Sequence, residues 1–138
     1  MGAPVPGLLN RTRGPLAVAA GAAVLGAGLL LHDPGRAGSW GFCPLYEITG
    51  LYCPLCGGLR ASADLLRGDV GGAWAMNPLW VLAVGPVVLI WFDWVRRRVL
   101  DRPAPVVPAT VWWVVLGVAL VFGVARNLPL VHVFLGPR

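Results

Sequence analysis

The three cysteines of this 138-residue chain, Cys43, Cys53 and Cys56, all lie in one short stretch. Cys53 and Cys56 belong to a C-P-L-C-G-G turn, and Cys43 begins an earlier C-P-L run. A turn of this kind directs two sulfurs toward one point, and thiolate sulfur is a ligand that zinc and iron prefer. The spacing therefore makes the three cysteines candidate ligands of one metal ion.

Three sulfurs leave one position of a tetrahedral site to be filled. The sequence offers three sources for a fourth ligand, namely His32, His132, or a cysteine from a second subunit. It contains no second C-x-x-C or H-x-x-H pair, which would have favoured zinc over every other interpretation.

Two other interpretations of the cysteines remain open. The C-x-x-C pair can cycle between dithiol and disulfide if the loop faces an oxidising compartment. Alternatively, the cysteines are structural, either bridged or packed in a turn of proline and glycine. Arg60 follows closely enough to lower a thiol pKa or to bind an anion such as a lipid phosphate, or else it pairs with Asp64 at i+4.

The composition indicates that the chain is an integral membrane protein. Apolar residues make up 57% of the chain and charged residues only 12%, against about 25% charged residues in ordinary soluble domains. We therefore expect one all-α integral membrane domain over residues 1–138, with no room for a separate soluble catalytic domain. The basic residues are all arginines that flank apolar segments, which favours headgroup contacts and disfavours nucleic-acid binding.

Three segments are apolar enough to cross a bilayer as helices, residues 15–31, 78–95 and 106–125. Residues 32–77 join the first two and form a cysteine-rich loop, re-entrant or interfacial. Within this loop a short amphipathic helix is expected from about Gly58 to Arg67, on the membrane surface. A cleaved secretory signal is the alternative to a retained first span, with a weak cleavage site at Gly35-Arg36-Ala37.

Helix ends can be placed from single residues. Asn77 and Pro78 are typical of an N-cap and a first helical position, so the second span should begin there. Asp93 lies near its other end and should pair with the arginines at i+3 and i+4. Asn127 is suited to a left-handed cap after the third span.

Arginine placement predicts the orientation of the spans. Four arginines lie in the short link of residues 96–105, between the second and third spans, where the positive-inside rule is strongest. With three spans, the N-terminus shares one side with this link. We expect that side to be cytoplasmic and the cysteine loop to be extracytoplasmic.

Four segments of the chain resemble one family in the same order: Cys43-Pro44, TGLYCPLCGGLRA, LLRGDVGGAWAMNPLW and ARNLP. They are similar to the bacterial membrane proteins grouped as domain of unknown function 2752, over roughly residues 40–130. The resemblance implies a small multi-span protein of the bacterial cell membrane and supplies no activity, substrate or cofactor. The residues it places on the family's motif are Cys43, Cys53, Cys56, Gly57, Gly58, Arg60, Asn77 and Pro78.

Two classes of function follow. In the first, the protein is a non-enzymatic membrane component that acts through other membrane proteins or as a homo-oligomer, with a structural or metal-stapled loop. In the second, it is a thiol redox or metal-handling protein that uses Cys53 and Cys56, with Cys43 resolving the disulfide or completing the site. The lipid bilayer is the expected partner in both classes. The spans hold few polar residues that would line a transport path.

Overall fold

The computed structural model describes residues 7–32, 34 and 43–131. Within these residues the chain forms six helices and no strand, as expected for an all-α protein. The helices are α1 (Leu8–Leu31), α2 (Pro44–Thr49), α3 (Gly58–Leu66), α4 (Val70–Met76), α5 (Pro78–Val99) and α6 (Ala109–Ala125). The cleavage site considered at Gly35-Arg36-Ala37 and the candidate ligand His132 lie outside the described residues.

In the described part of the chain, α1 and α5 are the two helices long and apolar enough to cross a membrane. Their 24 and 22 residues correspond to about 36 and 33 Å at about 1.5 Å per residue. Only 11% and 6% of their most apolar stretches are buried, whereas the core helix of a soluble protein is mostly buried. Their length and exposure suggest a membrane protein.

The first helix begins at Leu8, seven residues before the predicted start at Pro15. The prediction took the start of the apolar run as the start of the helix. The helix in fact includes an earlier polar turn that contains Arg11, because arginine favours helix almost as strongly as leucine. Pro15 is tolerated inside α1, and its carbonyl accepts a hydrogen bond from Trp91 Nε1 of α5 at 3.2 Å.

The last helix begins at Ala109, three residues later than predicted, with Pro108 as its N-cap. A proline biases the residue before it toward extended backbone, and here that residue is Val107. The 17 residues of α6 span about 26 Å, less than the roughly 30 Å of a hydrocarbon core. No residue of α6 is buried, and its direct contacts with the other described helices are sparse.

The start of α1 and the link after α5 lie at the same end of the molecule. Arg11 Nη2 is 3.2 Å from Asp101 Oδ2, so α1 and α5 run antiparallel. Nearby, Asp93 forms the expected ion pairs with Arg96 and Arg97.

Three short helices, α2, α3 and α4, lie within the predicted loop. The helix α3 lies where the amphipathic helix was expected, and Gly68 follows it with a φ of 81°. It does not lie alone on a surface, because it packs against α1, α4 and α5. A Cβ at Gly58 would lie 3.5 Å from the ring of Trp80, and Trp80 Nε1 donates to Ser62 Oγ at 2.8 Å. The loop is therefore built into the helical bundle.

Candidate metal centre in the cysteine loop

The three cysteine sulfurs converge on one point. The sulfurs of Cys53 and Cys56 are 3.1 Å apart, those of Cys43 and Cys56 are 3.3 Å apart, and those of Cys43 and Cys53 are 3.6 Å apart. All three thiols are free and half-buried. The structure thus brings together the three residues that the sequence nominated as ligands.

Local backbone geometry explains how residues ten apart can meet. Cys43 is the N-cap of α2, and Gly50 ends that helix in the left-handed region with a φ of 70°. The chain then returns toward Cys43 and enters the C-P-L-C turn. Gly57 follows the turn with a φ of 81° and starts α3. Glycine adopts such angles without the steric penalty that a Cβ would bring.

The thiols differ in acidity. Burial and hydrogen bonding with the neighbouring thiols raise the pKa of Cys56 to about 12. Burial also opposes ionisation of Cys43, but hydrogen bonds from the Tyr46 backbone and from the other two thiols outweigh it and lower the Cys43 pKa below 9.0. Cys43, at the start of α2, is the cysteine that loses its proton more readily of these two.

Arg126 anchors the cysteine turn through hydrogen bonds from its guanidinium group. Its side chain is fully buried, and it donates from Nη1 to the carbonyls of Cys56 and Cys53 at 2.9 and 3.2 Å. From Nη2 it also donates to the Met76 carbonyl at 3.4 Å. The guanidinium lies 5.2 Å from the centre of the Phe122 ring, within the range of a cation–π contact. The sequence analysis grouped Arg126 with the arginines that flank apolar segments, whereas the structure places it at the centre of the site.

Asn77 joins the turn to the first turn of α5. Its Oδ1 accepts from the Trp80 N–H at 3.0 Å, which confirms the predicted N-cap. Its Nδ2 donates to the carbonyls of Pro54 at 2.9 Å and Cys56 at 3.1 Å. The residue is fully buried and every polar atom of its side chain is used.

Asn127 has a different role from the one predicted. The expected left-handed cap is wrong, since Asn127 does not have a positive φ. Its Oδ1 instead accepts from the Tyr52 N–H, and its Nδ2 donates to the carbonyls of Tyr52 and Gly123. The two bonds to Tyr52 are tertiary, whereas the bond to Gly123 is local and satisfies a carbonyl of the last turn of α6 without a left-handed backbone.

The remaining nominated residues are Arg60 and His32. Arg60 Nε donates to the Pro34 carbonyl at 3.0 Å, while Asp64 pairs with Arg67, so the expected Arg60–Asp64 pair is replaced by two other contacts. Among the described residues the cluster of metal-ligating side chains contains only the three cysteines, so His32 does not supply the fourth ligand here.

The turn also separates two apolar grooves. One groove of about 450 Å³ runs between α5 and α6 under Pro54 and Leu55. The other, of about 400 Å³, runs along α6 and has Cys53 and Pro54 in its wall. A Cβ at Gly123 of α6 would lie 3.3 Å from the Pro54 ring. Pro54 is thus the residue of the turn that packs directly on α6.

The sequence did contain a signal for the anchoring residues. The segment ARNLP, which holds Arg126 and Asn127, was one of the four segments that carried the family resemblance. An arginine next to an asparagine at the end of an apolar segment is ambiguous by itself, because such residues also occur where a span meets the headgroups.

Comparison with known proteins agrees with the resemblance. Neither the curated proteins nor the solved structures give a match to this chain. Residues 43–91, from Cys43 to the middle of α5, match the family model described as "Protein of unknown function (DUF2752)", which confirms over this range the family that the motifs predicted.

Proposed function

We propose that this protein is a small multi-span membrane component whose cysteine loop is stapled by a zinc or ferrous ion held by Cys43, Cys53 and Cys56. In this proposal the ion is structural and the protein acts by binding other membrane proteins or a second copy of itself. The convergence of the three sulfurs is the observation that carries the proposal.

The size of the sulfur triangle is compatible with one bound ion. Zn–S bonds are about 2.3 Å, so sulfurs around tetrahedral zinc lie about 3.8 Å apart. The observed separations of 3.1 to 3.6 Å are slightly shorter. The circle through the three sulfurs has a radius of about 1.9 Å, so an ion about 1.2 Å above their plane is at bonding distance from all three.

A disulfide accounts for less of this geometry than a metal ion does. A disulfide joins two sulfurs, and the third sulfur would then have no reason to approach within 3.6 Å of both. A metal ion uses all three, and it repays the cost of gathering three thiols at one half-buried point.

The bound ion would also fix the position of α6. The contacts that join the end of α6 and the two residues after it to the loop include Arg126 on the turn, Asn127 on Tyr52, and Gly123 against Pro54. Since α6 touches the other helices sparsely, its position depends on the conformation of the loop. We therefore place the metal at the joint between α6 and the rest of the protein.

In the same proposal all three apolar helices, α1, α5 and α6, cross the membrane, with the arginine link in the cytoplasm of a bacterium. Trp91 and Trp94 of α5, and Trp112 and Trp113 of α6, lie near this link, as in an interfacial aromatic belt. An alkaline phosphatase fused after the C-terminus should be active, because an odd number of spans puts that end outside. An inactive phosphatase and a fluorescent cytoplasmic reporter at the same position would contradict this topology.

The metal content of the purified protein tests the main proposal. Untagged protein in mild detergent, prepared without chelator, should contain about one zinc or iron per chain by mass spectrometry of the metals. Each of Cys43→Ser, Cys53→Ser and Cys56→Ser should lose most of the metal, since the remaining two sulfurs form only half of a site.

His32→Ala is the matched control, because His32 is a potential ligand outside the cluster, and it should retain the metal. Metal-free wild-type protein that also takes up no added zinc would overturn the proposal. So would metal that persists in all three cysteine variants.

The 3.1 Å separation of the Cys53 and Cys56 sulfurs favours a second candidate function, thiol–disulfide exchange. One thiolate would attack a partner protein's disulfide and release one partner thiolate. The other cysteine would then attack the mixed disulfide and release the second, leaving a Cys53–Cys56 disulfide and a reduced partner.

Trapping free thiols with a maleimide polymer in intact cells separates the two functions. A metal staple predicts that no disulfide is present and that a chelator exposes three reactive thiols. Exchange predicts a fraction of chains with only one reactive thiol, which rises to three after reduction.

A further inference from the structure

A divalent ion bound by three cysteines leaves one negative charge uncompensated. Three thiolates with a divalent ion carry a net charge of −1, and burying an uncompensated charge costs several kcal/mol. Hydrogen bonds and a nearby cation are the usual compensation for thiolate sites.

Arg126 is placed to supply that cation. A guanidinium stays protonated in proteins, and this one is completely buried. The two carbonyls that its Nη1 contacts belong to Cys53 and Cys56, which are themselves ligand candidates. Tyr52 and Phe122 lie within 6.0 and 5.2 Å of the guanidinium carbon, so its surroundings are poor in water.

We propose that Arg126 is the compensating cation of the metal centre, a positioning residue whose positive charge offsets the net charge of −1 that three cysteine ligands and a divalent ion carry together. This inference rests on the metal centre proposed above. It adds that the affinity for the ion depends on the charge of Arg126 as well as on its hydrogen bonds.

A comparison with Asn77 separates the effect of a positive charge from the effect of hydrogen bonds to the turn. Like Arg126 it is fully buried and donates to the Cys56 carbonyl, but it is neutral. A residue that merely holds the turn should therefore resemble Asn77 in its effect on the ion. A residue that compensates charge should affect binding of the ion differently from Asn77.

Arsenite provides a second ion for the same three sulfurs. Arsenous acid reacts with three thiols to give a neutral arsenic tris-thiolate and three waters, with no change in redox state. Zinc leaves the site at −1, whereas arsenic leaves it at zero. Both ions require the same folded loop, so only the zinc affinity should depend on a neighbouring positive charge.

The experiment measures zinc affinity by competition with a chromophoric chelator, and arsenite affinity by protection of thiols from alkylation, in detergent-solubilised full-length protein. Arg126→Gln should weaken zinc binding by about 10- to 100-fold, the usual effect of removing an outer-shell partner. Its arsenite affinity should stay close to that of the wild type. Arg126→Lys should keep the zinc-to-arsenite ratio, and Asn77→Ser should change both affinities in parallel.

Parallel loss of zinc and arsenite in Arg126→Gln, or no loss of either, would overturn the inference. If that variant does not fold, Arg126→Met replaces it with the same expected and contradicting outcomes, because methionine fits beside the Tyr52 and Phe122 rings and carries no charge. Failure of the metal centre itself looks different: wild-type protein would then bind arsenite and not zinc.

Discussion

The side chain of Asn127 binds both backbone polar groups of Tyr52, 75 residues earlier in the chain. The Tyr52 N–H donates to Asn127 Oδ1 at 2.9 Å, and Asn127 Nδ2 donates to the Tyr52 carbonyl at 2.9 Å. The side-chain amide therefore makes the two hydrogen bonds that a neighbouring β-strand would make with Tyr52. It connects the residue before Cys53 to the end of α6.

Replacing Asn127 by alanine should lower the free energy of unfolding by about 2 kcal/mol, because backbone groups of a half-buried segment lose their partners. Thermal unfolding in detergent, followed by circular dichroism, measures this. Asn10→Ala is the matched control, since Asn10 is exposed. Equal midpoints for the two variants would mean that the Tyr52 contact contributes nothing.

Asn77 allows its two roles to be measured separately. Asn77→Ser keeps an oxygen that can cap α5 and loses the donors to Pro54 and Cys56. Asn77→Ala loses both roles, so we expect it to be about 1 kcal/mol less stable than the serine variant. Chemical unfolding of both variants gives the difference. A serine variant as stable as the wild type would show that the turn does not need this anchor.

Gly57 should tolerate no side chain. Its φ of 81° costs an L-residue about 1–2 kcal/mol, so Gly57→Ala should be destabilised by that amount and should misdirect the Cys56 sulfur. Gly21→Ala, in open space within α1, should be neutral or slightly stabilising. Unfolding midpoints and metal content of the two variants check this, and equal values would contradict it.

The thiols should react in a fixed order as the pH rises in metal-free protein. The lowered pKa of Cys43 makes it the first of Cys43 and Cys56 to be alkylated, and the raised pKa of Cys56 delays its reaction toward pH 12. Because the folded state favours the protonated Cys56, its contribution to stability is complete below pH 9 and is lost between 9.0 and about 12. Peptide mass spectrometry after timed alkylation gives the order of reaction. Alkylation of Cys56 before Cys43 would contradict the prediction.

Much of the fold followed from local patterns. The apolar runs predicted α1, α5 and α6, and Asn77-Pro78 predicted the start of α5 because a cap depends on neighbouring residues alone. The boundaries of α1 and α6 differed where a polar turn continued a helix and where Pro108 delayed one. The approach of Cys53 and Cys56 also followed from the turn they share, whereas Cys43 reaches them through α2 and the left-handed Gly50.

The supports of the site could not be predicted in the same way. Arg126 and Asn127 act on backbone groups about 70 residues away, and nothing in their own neighbourhood specifies that partner. Arg60 lies closer to the turn in sequence, and its Nε donates to the Pro34 carbonyl. Its role in tuning a thiol or binding an anion stays a prediction.

The anchors of the cysteine turn, Asn77, Arg126 and Asn127, bind main-chain atoms of the turn and of Tyr52. Main-chain atoms are the same whichever side chain a residue carries, so substitutions at Leu51 or Leu55 leave these attachments in place. The surface of the loop can therefore diverge to suit a new partner while the sulfurs keep their positions.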